Sequence, residues 1–201
     1  MVVGEANTGY FAADRWLVPA SGGPDFTLIR AMNYFLEQVL PKKEAGTISG
    51  AIDEINHYIG EIYFLRATAY FDRLCTYGDF PIVTTVPEDK TEELVEFSKR
   101  APRNEVARFI LEDLDQAISL LTNNISGGKN RITKNAALLL KSRAALFEAS
   151  WLTYHKGTAL VPGGPGWPGK AEDIADFNID TEIAFFLKEA KAAAKEVIGN
   201  A

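Results

Sequence analysis

Five stretches of the chain repeat apolar residues at helical spacing, separated by segments rich in Gly, Pro and charge. The pattern predicts a first helix over about 25–40, with Pro41 expected to end it. A second is predicted over about 52–77. A third runs over about 103–121, after Pro102, which suits a first helical turn. A fourth follows Thr133, whose side chain suits an N-cap, and runs to about 154. The fifth covers about 181–198 and closes on Gly199-Asn200. Ile82-Val83-Thr84-Thr85-Val86 is the one β-like run, and it is short. The fold class read from this pattern is all-α.

The second helix carries the strongest signal. On a wheel at 100° per residue, Glu54, Glu61, Thr68 and Asp72 fall in one narrow strip. The remaining arc holds Ile55, Ile59, Ile62, Tyr63, Phe64, Ala67, Tyr70, Phe71, Leu74 and Cys75. A helix apolar over so wide an arc needs neighbours on several sides, so it is expected to be an inner helix. Gly78 ends it, and Pro81 turns Phe80 away from helical geometry.

The third helix has the one-sided stripe expected of an outer partner: Val106, Phe109, Ile110, Leu114, Ala117, Ile118 and Leu121. The fifth is similar, with Phe186, Leu187, Ala190, Ala194, Val197 and Ile198. Inner and outer helices in alternation point to stacked helix hairpins of the tetratricopeptide type, with a plain irregular bundle as the alternative. The long connections over 78–102 and 155–180 break the strict repeat.

Composition and charge narrow the function classes. At 201 residues and 47% hydrophobic, the chain can bury a sizeable core as a single helical domain spanning 1–201. A net charge of −6, without a cluster of Lys and Arg, argues against nucleic acid as a partner. Cys75 is the only cysteine, which excludes an internal disulfide and a Cys-based zinc site, and it is expected to be buried as a small hydrophobe. No run reaches the length of a membrane span. Met1 to Glu5 lacks the basic start and apolar stretch of a signal peptide.

Candidate chemistry is sparse. Gly164 to Lys170 meets the G-x-x-x-x-G-K spacing, but Pro165 and Pro168 remove two N–H donors and Ala171 stands where Ser or Thr is needed, so it reads as a loop. His57 and His155 have no ligand spacing, and there is no G-x-S-x-G elbow. Asp72, between Arg66 and Arg73, is expected to form ion pairs between stacked helices. No catalytic residues, metal ligands or cofactor are assigned. The binding candidates are aromatics: Trp16 in the N-terminal stretch near Tyr10 and Phe11, and Trp151, Tyr154 and Trp167 around the Gly/Pro-rich loop. Flat rings stack on the C–H faces of sugars, and loops on a rigid scaffold commonly carry function.

Several motifs in order carry a family resemblance. Ile29 to Glu37 looks like an "I-x-x-A-N-x-F-L" helix, and Glu61 to Pro81 like "E-x-x-F-L-R-A-x-x-Y-F-D-L…Y-G-D-x-P". Arg100 to Val106 leads into Ile110 and Glu112 to Ala117. Arg131 to Ala137 is followed by Lys141 to Ala144, and Ala190 to Ile198 closes the series. In these the chain resembles the SusD/RagB outer-membrane nutrient-binding lipoproteins of Bacteroidetes, from about residue 28 onward. The resemblance implies the N-terminal helical portion of a longer protein. It also implies a binding protein rather than an enzyme, one that captures oligosaccharide for a SusC-like TonB-dependent transporter in polysaccharide utilization. The expected location is the cell surface, with a lipid anchor holding the intact protein to the outer membrane. The alternative reading is a helical-repeat scaffold for another protein, without sugar binding.

Overall fold

The computed structural model describes residues 25–124 and 130–199. Six α-helices follow in order: α1 Thr27–Glu44, α2 Ile52–Tyr77, α3 Thr91–Phe97, α4 Arg103–Leu120, α5 Lys134–Tyr154 and α6 Ile179–Gly199. A short 3-10 turn, Ala171–Ile174, precedes α6. Helices α1, α2, α4, α5 and α6 pack each against the next in chain order, as stacked antiparallel hairpins of the tetratricopeptide type. Long irregular loops connect them. Among the described residues there is no strand and no helix long and apolar enough to cross a membrane.

The helix boundaries follow local chemistry. Thr133 caps α5, its hydroxyl accepting the Ala136 N–H at 3.2 Å. Gly78 closes α2 at φ 75°, a conformation few other residues adopt. Pro41 does not end α1, which continues one turn to Glu44. Proline removes the bond its own N–H would make and crowds the carbonyl one turn back, but here the following turn is still closed by Ala45 N–H to Pro41 O at 2.9 Å. The helix α3 and the 3-10 turn, with seven and four residues, are too short to show periodicity in sequence.

Helix α2 is the inner rod. It contacts α1, α4 and α5, and buries Ile59, Ala67, Tyr70, Phe71 and Leu74. Each large apolar side chain removed from water in this way contributes roughly 1.5–3 kcal/mol. Gly60 lets α4 approach closely: a Cβ there would stand 2.9 Å from Leu121 Cγ.

Three expectations about the helices change. Helix α4 is not an outer partner, because it packs against both α2 and α5. Cys75 is exposed, since α2 turns it out with Asp72, Thr76 and Tyr77 on the face of its last turns opposite buried Phe71 and Leu74. Asp72 is exposed too, and the interhelical ion pair belongs to Arg66, which grips Asp113 of α4 at 2.7 and 2.8 Å.

That pair also explains the β-like run. Arg66 donates to Asn33 Oδ1 at 2.8 Å, and Asn33 Nδ2 donates to Val83 O at 2.8 Å and Thr85 O at 3.0 Å. The Tyr70 hydroxyl accepts the Val83 N–H at 2.8 Å and lies 3.1 Å from the Val83 carbonyl. Side chains of α1 and α2 thus take the backbone groups that a partner strand would have taken. Burial pushes the Tyr70 hydroxyl up to about 12.

Candidate functional site

The antiparallel stack gathers the starts of α1, α4 and α6 and the ends of α2 and α5 at one end of the molecule. Asp79 sits there, just past the end of α2. Its Oδ1 accepts the Arg103 N–H at 2.9 Å, capping α4, and its Oδ2 accepts the Trp167 indole N–H at 2.8 Å. The Arg103 side chain turns inward to Glu148 of α5, with bonds of 3.0 and 2.7 Å. Glu148 is fully buried, and burial pushes its carboxyl above the usual carboxylate range, partly offset by Arg103. The Arg103 guanidinium also lies 4.3 Å from the centre of the Trp151 ring.

This junction gathers two of the four aromatics picked from the sequence, Trp151 and Trp167. Trp151 is enclosed by Arg103, by His155 at 4.3 Å between ring centres, and by Phe147 at 6.0 Å. Its N–H donates to Leu160 O at 3.0 Å, holding the start of the 155–178 loop against α5. Trp167 is half-buried and folds back over Gly169. Tyr154, the last residue of α5, is 84% exposed. Trp16, with Tyr10 and Phe11, lies outside the described residues. Gly164 to Lys170 holds one turn at Pro165-Gly166 and is otherwise irregular, consistent with its reading as a loop.

Beside Asp79 a cleft of about 830 Å³ opens between the start of α1, the end of α2 and α3. Phe26, Phe80 and Tyr77 line it as a stack, with ring centres 5.1 Å apart for Phe26–Phe80 and 5.8 Å for Tyr77–Phe80. Sequence reading missed this stack and the Asp79–Arg103–Glu148 chain. The Tyr77-Gly78-Asp79-Phe80-Pro81 run was legible as a helix stop, but its partners lie 20 to 90 residues away.

At the opposite end, the connection between α4 and α5 is tied to α2. Arg131 holds Glu61 through bonds of 2.7 and 2.8 Å, and the Ile132 N–H adds a third at 3.2 Å. His57 is fully buried and accepts the Thr122 N–H at Nδ1 over 3.5 Å, so its place is structural.

The comparisons with known proteins match this architecture. Residues 25–146, more than half the chain, fit the model of the SusD-like family described as starch-binding and associating with the outer membrane. The chain belongs to the SusD-like family. SusD-like protein P2 of Formosa agariphila is 26% identical over 185 residues, covering 92% of this chain and 31% of the relative. A SusD-like protein of Bacteroides fragilis is 33% identical, with a TM-score of 0.51, over 61% of this chain and 22% of that one. A SusD superfamily protein from Parabacteroides distasonis shares the fold with a TM-score of 0.53 and 24% identity, over 86% of this chain and 29% of that one.

The SusD-like chain therefore spans about a third of the length of the curated relative it matches. Within it, the residues that carried the sequence resemblance have structural work. Asn33, Arg66, Asp79 and Arg103 each tie one helix to another or to a loop.

Proposed function

We propose that this chain is the helical scaffold of a cell-surface protein that captures oligosaccharide and passes it to a SusC-like TonB-dependent transporter. The intact protein is held to the outer membrane by a lipid anchor and performs no chemistry on the glycan. The observation that carries this reading is the match over residues 25–146 to a family of starch-binding proteins associated with the outer membrane. The glycan site lies at the loop end of the stack. Tyr154 at the end of α5 and Trp167 present ring faces to the sugar there, and Trp151, braced on Arg103, fixes the loop that carries Trp167. Trp16 is proposed as a further glycan-binding ring.

Isothermal titration against a polysaccharide panel that includes starch tests this. Tyr154→Ala and Trp167→Ala are each expected to weaken binding about tenfold, the loss of one stacked ring. Undiminished binding in both variants would reject the aromatic site.

The scaffold reading has its own support. Helices α2 and α5 leave Leu65, Leu139 and Leu146 exposed, a feature suited to protein contact. A pull-down that retains the transporter, together with no glycan binding by the protein, would favour it.

A further inference from the structure

The Trp167 side chain is held from several directions. Its main-chain N–H donates to Gly164 O at 3.0 Å, closing the turn that leads into it. Pro168 follows directly and restricts the Trp167 backbone to extended geometry. The indole N–H donates to Asp79 Oδ2 at 2.8 Å, and the six-membered ring packs on Gly169.

Gly169 separates the demands of the backbone from those of the ring. Gly166, three residues earlier, has φ 83°, a conformation that favours glycine. Gly169 is not among the glycines with positive φ, so its backbone would accept alanine. A Cβ there, however, would stand 2.2 Å from both Cζ2 and Cη2 of Trp167. Glycine at 169 therefore serves the position of the indole and not the path of the chain. Asp79 fixes the nitrogen edge of the same ring, and is itself tied down because its other oxygen caps α4.

Burial does not account for this hold. Trp151 packs against the hydrophobic core, whereas Trp167 stays outside it and half-buried. A broad ring kept in one orientation at the surface can stack on a partner without first losing side-chain freedom.

We propose that Asp79 and Gly169 are positioning residues of the glycan site, setting the Trp167 ring in the orientation that meets the sugar. The inference rests on the glycan-binding reading above and names two residues that act through the ring. Isothermal titration of the intact protein with oligosaccharides of starch, laminarin and xyloglucan tests it. Gly169→Ala displaces the ring, and Asp79→Asn keeps an oxygen for the α4 cap while setting an amide N–H against the indole N–H. Each is expected to weaken binding about three- to tenfold, the cost of ordering one freed side chain. Added to Trp167→Ala, Gly169→Ala should cost nothing further, because the ring it displaces is gone. Parent-like affinity in either single variant, or a loss from Gly169→Ala that persists without Trp167, would overturn the proposal. So would a Gly169→Ala variant that melts lower yet binds like the parent. If Trp167→Ala still weakens binding in those cases, the glycan reading stands. Failure of the parent to bind any of the three oligosaccharides would overturn both.

Discussion

The carboxylate of Asp79 reaches the indole of Trp167 at 2.8 Å, across 88 residues of chain. The same carboxylate caps α4 through the Arg103 N–H. One side chain thus sets where α4 starts and how the long loop before α6 lies against it.

Asp79→Ala removes both acceptors. It should lower stability by about 1–3 kcal/mol, the sum of a lost cap and a lost side-chain bond. Trp167→Phe keeps an aromatic ring but loses the N–H, and should cost about 1 kcal/mol. Urea unfolding of both variants measures this. Equal stability of Asp79→Ala and the parent would show that the junction does not anchor the loop.

The Arg103–Glu148 pair is nearly sealed from solvent. Arg103→Met leaves a buried carboxylate alone and should destabilise by about 3–5 kcal/mol. Replacing both, as Arg103→Met with Glu148→Leu, should recover most of that loss, because no charge is then left unpaired. The same unfolding experiment reads the two variants side by side.

Acid should loosen the tie at the opposite end. Burial works against the Glu61 carboxylate, but the donors of Arg131 and Ile132 and the Arg131 charge outweigh it, holding the carboxyl below its usual range. A depressed folded pKa contributes stability that is present above the unfolded value, and this is lost as pH falls through the folded one. Glu61→Gln should therefore melt below the parent at pH 7. The gap should narrow as pH drops below about 4. A gap unchanged between pH 7 and pH 3 would contradict this account.

Cys75 offers a check on the exposed end of α2. Burial of part of the side chain, with Asp72 close by, pushes its thiol up. A maleimide should label one thiol per native chain at pH 7.5, more slowly than free cysteine because less thiolate is present. Cys75→Ser should change stability by no more than about 0.5 kcal/mol. Labelling only after denaturation would show that α2 is covered there.

Much of the architecture was legible along the chain because helix periodicity and end signals are local. The bounds of α2, the Thr133 cap and the start of α4 after Pro102 each depend on neighbours within a few residues. The end of α1 was misplaced, since Pro41 is tolerated in a last turn whose remaining bonds close without it. The exposure of Cys75 was misread because an apolar arc on a wheel shows a need for neighbours, not where they stop. Trp151 and Trp167 were found by type and loop position, but not their link through Arg103 and Asp79.

The sequence by itself determined an all-helical stack with a wide-faced inner rod, because burying that much apolar arc leaves few other arrangements. Only the tertiary structure decided which charges sit inside, which acceptors cap which helix and which rings meet. Arg66 with Asp113, Arg103 with Glu148 and Asp79 with Trp167 are 47, 45 and 88 residues apart. Their pairing is set by how helices lie side by side, a relation that local spacing does not encode.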